Sequence, residues 1–370
     1  FQSGHNSMIA LDTENLKAVD IFTSSGDISQ SGSLGGGVNF VTIEAKDLLK
    51  SGKKQGGEFK TGYASANAAN SLNAKYASRD KNRSSLVSIS TTSAKNLQLN
   101  NGRTLEYSSF EDRSILIKNT YGKLGLKLEA FQRNDNAPTD PTLNPPRRLQ
   151  VLQSENTITR TTLAADYGRK LNGGDIKGKV YFNGFGIEKT EQESAETKTR
   201  VIDTFGAKLS YNVDTWKLGG EVFNDRLSSD WEGEDIESYP NAQSTNSVVY
   251  AQNNIKLNSK TTLSPGARLN SYSMEADSST YKRKSESAIS GAMILKTDWT
   301  PKFQTIAAVS QGFRAPRLNE VYPSGLHSPG DDFFIRDNFF LPNEDLKEET
   351  SLNRELKLRY QDSFDRGNGM

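Results

Sequence analysis

Long stretches of strict alternation between apolar and polar residues constrain this chain more than any other feature. Leu124, Leu126, Leu128 and Ala130 interleave with Lys123, Lys127, Glu129 and Phe131. Phe205, Ala207, Leu209, Tyr211 and Val213 alternate with Gly206, Lys208, Ser210, Asn212 and Asp214. Leu352, Leu356, Leu358 and Tyr360 alternate with Ser351, Asn353, Glu355, Lys357 and Arg359. Successive side chains of a β-strand point to opposite faces, so each stretch reads as a strand with one apolar and one polar face. About fourteen such strands fall within residues 57–361, several of about ten residues or more.

The connections alternate as well. Short turns are expected at 79–83, 121–123, 171–175, 212–215, 257–260 and 298–302. Long polar segments fall between them at 95–112, 135–156, 230–246 and 314–348, with shorter ones near Glu191 and Asp277. An up-and-down transmembrane barrel has short turns on one side and long loops on the other, whereas a soluble sandwich has no reason to sort its loops this way. Sandwich strands are also shorter, averaging about five or six residues. Tyr121, Tyr167, Tyr211, Trp216, Trp299 and Tyr360 all lie close to the short turns, where a membrane–water boundary favours amphipathic rings. The fold class is therefore all-β, a transmembrane antiparallel β-barrel.

Composition narrows the function. No apolar run approaches the roughly 20 residues of a spanning helix. The chain holds no cysteine, which removes disulfides, thiolate metal sites and cysteine nucleophiles together. A net charge of +1 leaves no basic footprint for nucleic acid. The two histidines have no serine or carboxylate partner in sequence that would make a catalytic set, so no enzyme is expected.

Residues 1–43 read differently from the rest. A short helix is expected at 11–17, then a strand through Val19, Asp20 and Ile21. The run Gly35-Gly36-Gly37 precedes a second strand, Val38-Asn39-Phe40-Val41-Thr42, and marks a tight turn or a close backbone approach. A phosphate-binding loop would need a Gly-Lys-Ser/Thr ending, which does not follow. Three regions result: 1–43 as a separate α+β unit, 44–56 as a linker and 57–370 as the barrel.

The segment 313–346 lies between two strands and is too long for a simple connection. It opens with Phe313-Arg314-Ala315-Pro316, passes His327, crosses Phe333-Phe334 and Phe339-Phe340, and closes with Leu341-Pro342-Asn343-Glu344-Asp345-Leu346. Its aromatic content argues against disorder. It reads as the outer mouth of the barrel, offering His327 to a ligand.

With these residues laid out, the chain resembles the TonB-dependent outer-membrane receptors and, among them, the haem and haemoglobin receptors. The stretch from Val19 to Phe40, with Ser31-Gly32-Ser33-Leu34 before its glycines, is similar to the end of the plug domain that fills such barrels. Phe313-Arg314-Ala315-Pro316 with Glu320-Val321-Tyr322 is similar to their FRAP box. Pro342-Asn343 and Leu346-Lys347-Glu348 resemble the paired Asn-Pro-Asn-Leu-Lys-Pro-Glu box, with an acidic Glu344-Asp345 and no second proline. In the haem receptors one histidine lies between the two boxes and another on the plug apex, places matched here by His327 and by His5 within Ser3-Gly4-His5-Asn6-Ser7.

The resemblance implies an outer-membrane location in a Gram-negative bacterium and haem, free or from a haemoprotein, as transported ligand with no catalytic cofactor. It implies His5 and His327 as ligands of the haem iron, which accepts axial histidine. Phe333, Phe334, Phe339 and Phe340 would cover the porphyrin, and Arg317 or Arg336 would meet the propionates. Phe313, Arg314, Ala315, Pro316, Pro342, Asn343 and Leu346 would be structural. The implied partners are outer-membrane lipid and the TonB energy-coupling complex, whose contact segment is absent from this chain. A siderophore or other iron complex is the alternative cargo, and a non-transporting binding or adhesion barrel the alternative class.

Plugged receptors have about 22 strands against about fourteen here, so the chain is expected to be an internal fragment of a longer receptor, with partial plug and partial barrel. Unpaired edges would cost several kcal/mol per unsatisfied backbone group in lipid, so the 370 residues alone are expected to aggregate or fail to insert.

Overall fold

The computed structural model describes residues 10–22, 28–29, 34–138, 153–192, 195, 197–231, 240–278, 280–328 and 338–361. The N-terminal unit opens with a 3-10 turn (Thr13–Asn15) and continues as an antiparallel pair, β1 (Leu16–Phe22) and β2 (Gly37–Thr42), in which Val19 faces Phe40 and Ile21 faces Val38. A single helical turn, α1 (Ala45–Leu48), leads to β3 (Gln55–Ala64), β4 (Ala69–Arg79) and β5 (Arg83–Ala94). A small hairpin follows, β6 (Leu97–Gln98) with β7 (Thr104–Leu105). Then come β8 (Phe110–Tyr121), β9 (Leu124–Pro138), β10 (Gln153–Leu171), β11 (Gly174–Glu191), β12 (Thr197–Val213), β13 (Trp216–Trp231) and β14 (Ala242–Asn253). The short β15 (Ile255–Lys256) precedes β16 (Thr261–Ala276), β17 (Lys284–Thr300) and β18 (Phe303–Arg314). The chain then passes through α2 (Leu318–Val321), β19 (Gly325–Ser328) and β20 (Asn338–Phe340) to β21 (Glu349–Tyr360).

The long strands from β3 to β21 form one antiparallel sheet in which each pairs with its sequence neighbour, β15 joining the edge of β16. Among the described residues β3 and β21 do not pair with each other. The turns have the chemistry that two-residue hairpins demand. Asn172 and Gly173 both have positive φ (48° and 81°), as a type I′ turn requires, and Gly122 (φ 58°) begins the turn between β8 and β9.

The sheet wears its apolar residues outside. Val180, Phe205, Ile289 and Leu356 are 56%, 60%, 72% and 71% exposed, and Tyr121, Trp216, Trp299 and Tyr360 stand exposed near the short-turn ends. Inward-facing Asn73, Ser88, Glu129, Arg268, Asn270 and Ser310 are buried. An apolar outer band with an aromatic girdle and a polar interior is the sidedness of a barrel in lipid. No helix among the described residues is long and apolar enough to cross a membrane, which leaves crossing to the strands.

The N-terminal unit occupies the inner face. Asp12 accepts from Ser90 and, at 2.5 Å, from Ser114 of the wall. Wall side chains also reach the backbone carbonyls of the unit: Arg160 donates to Ala10 O (2.9 Å), Arg268 to Ile28 O (3.1 Å), Lys208 to Ser29 O (3.2 Å), Asn353 to Leu34 O (2.6 Å) and Lys118 to Thr42 O (3.3 Å). Gly312 lets the wall approach this closely, since a Cβ there would lie 2.5 Å from Leu34 O. The same segment settles the curvature. Leu34 meets β21, and Ala45 packs on Ala77, Leu86 and Leu116 of β4, β5 and β8. A flat sheet of this width would separate those strands by roughly 50–60 Å, more than the roughly 40 Å that the chain from Leu34 to Ala45 can span. The sheet therefore wraps around the unit.

Two sequence expectations are corrected. The helix at 11–17 shrinks to the 3-10 turn, with Leu16 and Lys17 already in β1, because Asp12 and Asn15 are drawn onto Ser90 and Ser114 instead of building helical turns. The linker at 44–56 is structured: α1 docks on the wall, and β3 begins at Gln55 rather than residue 57.

Candidate functional site

β18 and β21 are neighbours in the sheet, and the chain between them folds back over the inner face. At the last residue of β18, Arg314 sends Nη1 to both oxygens of Glu320 (3.0 and 2.9 Å) and holds Glu349, the first residue of β21, through Nε and Nη2 (2.9 and 2.8 Å). Glu320 also accepts the backbone N–H of Arg317 at 2.9 Å, which fixes the first turn of α2.

α2 points its apolar side at the wall. Leu318, Val321 and Tyr322 are buried with Leu227, Ala242, Tyr272 and Met274, and Phe313, Ala315 and Leu346 pack around them. The rings of Tyr272 and Phe313 lie 6.3 Å apart, and Tyr281 meets Tyr322 edge-on at 5.4 Å. Burial, reinforced by the carboxylates of Glu344 and Glu275, pushes the Tyr322 phenol up to about 12. It is neutral at physiological pH, and its hydroxyl has no hydrogen-bond partner among the described residues.

The second half of the segment is tied to the first. Asn343 N–H donates to Val321 O (2.8 Å), Lys282 N–H to Glu344 Oε1 (2.8 Å), and Lys284 Nζ to Leu346 O (2.6 Å). Between these ties β19 and β20 form a hairpin in which Gly325 faces Phe340, Leu326 faces Phe339 and Ser328 faces Asn338. His327 is the extra residue of a bulge in this ladder. Bulges release a residue from regular pairing and are common beside functional sites. Phe339 and Leu341 are exposed, at 55% and 80%. Beneath α2 lies a cavity of about 360 Å³ whose lining includes Phe223, Asp225, Arg268, Asn270, Phe313 and Arg317. Aromatic walls with guanidinium groups suit a flat apolar ligand that carries carboxylates.

Of the residues singled out from sequence, Phe313, Arg314, Ala315, Pro316, Pro342, Asn343 and Leu346 gather at the base of the segment. His327, Phe339 and Phe340 share the hairpin, and Arg317 borders the cavity. His5, Phe333, Phe334 and Arg336 lie outside the described residues. Sequence reasoning missed Glu320 and Glu349 as partners of Arg314, although the spacing from Arg317 to Glu320 fits a carboxylate returning to a helix start. It also missed Arg268 and Asp225, which look like any other inward polar residue.

Residues 46–369 match the family described as TonB dependent receptor-like, beta-barrel. The chain belongs to that family. TonB-dependent receptor barrels are outer-membrane proteins of Gram-negative bacteria. The chain is 26% identical to the hemin receptor of Yersinia pestis over 97% of its own length and 56% of that protein. It thus spans little more than half the length of this relative. Its fold is similar to the Serratia marcescens hemophore receptor HasR, solved as a double mutant with hemophore HasA and heme (TM-score 0.81, 18% identity, 98% of this chain and 60% of that one). The Neisseria meningitidis iron transporter FrpB has a similar fold (TM-score 0.72, 16% identity, 95% and 60%).

Proposed function

We propose that this TonB-dependent receptor chain serves haem uptake across the outer membrane of a Gram-negative bacterium, driven through the TonB complex, with haem free or delivered by a haemoprotein. The observation that carries the reading is the likeness to a hemin receptor along 97% of the chain. The site chemistry supports it. His327, set off from regular pairing by its bulge, and His5 are the iron ligands. Phe339 and Phe340 on the same hairpin, with Phe333 and Phe334, cover the porphyrin. Arg317, at the cavity edge, and Arg336 meet the propionates, a task for which a planar guanidinium is well suited.

The test is haemin titration of outer membranes carrying the completed receptor, with His327→Ala and His5→Ala beside the parent. The parent shifts the Soret band on binding, and each single variant weakens or alters that shift. A parent without a shift would mean that the cargo is not haem, and variants that match a shifting parent would mean that the two histidines are not its iron ligands.

A further inference from the structure

The lower part of the inner wall carries a concentration of cations that the site above does not use. Lys118 of β8 lies directly opposite Lys127 of β9, and Lys179 of β11 directly opposite Lys208 of β12. Residues paired in this way share one face of a sheet, and like charges placed opposite each other destabilise it. This face is the inner one, because Lys118 and Lys208 touch Thr42 and Ser29 of the N-terminal unit. Strand β10 runs between the two pairs and presents only Ala164 opposite Lys127 and Asp166 opposite Lys179. All four lysines lie within a few residues of the short turns, on the side of the sheet away from the haem site.

Neutralisation of this patch is incomplete. Lys127 pairs with Glu129 at 2.6 Å, but Glu129 also serves Arg160. Lys208 stands 3.9 Å from Glu221, whose carboxylate accepts from the Tyr181 hydroxyl at 2.9 Å. Lys118 meets a neutral carbonyl. Lys179 is exposed and makes no ion pair within 4.0 Å among the described residues; the Tyr181 ring lies 5.8 Å away, and the carboxylates of Asp166 and Glu221 act on it only from a distance. Asp166, which could have paired with it, leans over Gly125, where a Cβ would come within 2.7 Å of its carboxylate. The remaining acids nearby, Glu44 and Asp47, are already engaged by Lys46 and Lys17.

We infer that Lys118, Lys127, Lys179 and Lys208 form a second, lower station for an anionic cargo. They take its carboxylate groups as it leaves the upper site for the short-turn side. This rests on the haem reading: the cargo class is a planar macrocycle with two carboxylates, and β10 sets only Ala164 and Asp166 opposite the lysines. A wall of one sign inside a confined lumen raises the local concentration of its counter-ion and speeds its transfer.

The experiment uses cells that depend on the receptor for haem and compares Lys127→Gln/Lys179→Gln/Lys208→Gln with the matching triple arginine variant. Two cargoes are supplied, haem and haem with both propionates methylated. Receptor amount and the Soret shift of isolated outer membranes report folding and upper-site binding. The expected result is an unchanged Soret shift and haem accumulation slowed about tenfold in the glutamine variant. The arginine variant restores the rate, and the methylated cargo is insensitive to all three lysines. Unchanged haem accumulation, or an equal loss for both cargoes, overturns the proposal. A parent receptor without a Soret shift overturns the haem reading itself, and this inference with it.

Discussion

Arg314 and Glu349 form a two-pronged ion pair, Nε to Oε2 at 2.9 Å and Nη2 to Oε1 at 2.8 Å, that joins the end of β18 to the start of β21. The whole segment between them emerges through this neck. Parallel double bonds fix orientation as well as distance, which an ammonium cannot do. Replacing Arg314 by Ala releases Glu349 and Glu320 together, so the expected outcome is faster hydrogen exchange and faster proteolytic nicking throughout 315–348, with β18 and β21 unaffected. Arg314→Lys should recover only part of the protection. Protection equal to the parent in Arg314→Ala would show that packing alone holds the neck.

Packing of α2 can be tested at two positions one turn apart with opposite signs. Leu318 is 5% exposed in the cluster with Tyr272 and Met274, so Leu318→Ala should loosen docking of the segment by about 2–3 kcal/mol. Tyr322 is fully buried with an unpartnered hydroxyl, so Tyr322→Phe should be neutral or stabilising by up to about 1 kcal/mol. Hydrogen exchange of the α2 amides reads both. A large loss in Tyr322→Phe would reveal a hydrogen bond to that hydroxyl.

The two faces of one strand give a third prediction. Val180 faces outward and its neighbour Lys179 inward. Val180→Arg should lower folding stability in bilayers by about 2–4 kcal/mol, while Lys179→Arg leaves it nearly unchanged. Reversible folding of the completed receptor into lipid vesicles measures both. Equal effects would contradict the assignment of the outer face to lipid.

Acid should loosen α1 before the strands. The hydrogen bond from Lys46 holds the Glu44 carboxyl below its ordinary 4.5. For Asp47 burial pushes upward, but the Glu44 N–H (2.7 Å) and Lys17 (3.2 Å) outweigh it and hold the carboxyl below 3.8. Both groups therefore prefer the docked state when ionised. Their contribution is complete above the ordinary values and disappears as pH falls through the lower, docked ones. Protection factors at residues 43–50, with the intrinsic pH dependence of amide exchange divided out, should fall as pH drops below those ordinary values. Glu44→Gln with Asp47→Asn should flatten that dependence, and an unflattened profile would assign it to other carboxylates.

The strands, the sorting of turns and loops, and the apolar outer face were all legible in residues such as Leu124, Phe205 and Leu358, because period two translates directly into sheet faces. Local competition was not legible. Residues 11–17 have helical composition, yet Asp12 and Asn15 find partners on β5 and β8, and no local rule reveals a distant wall. The segment 313–346 was recognised as a unit and its base residues were found. Glu349 as the partner of Arg314 depends on β18 and β21 being adjacent, and the bulge at His327 on the pairing of β19 with β20. The inward cations were hidden for another reason. In a strand whose polar face meets a filled lumen, a lysine that holds a carbonyl, one that lines a path and one that is merely solvated have the same sequence signature.

Five of the wall's grips on the N-terminal unit end on its carbonyls, those of Ala10, Ile28, Ser29, Leu34 and Thr42. A carbonyl is common to every amino acid, so these grips survive substitution of the residue that carries them. At these bonds the inner residue can change without loss, whereas Asp12, Glu14 and Asn15 are held through their own side chains. A chimaera that pairs this barrel wall with the inner segment of a distant relative should therefore seat only where that segment keeps matching groups at the positions of Asp12 and Glu14.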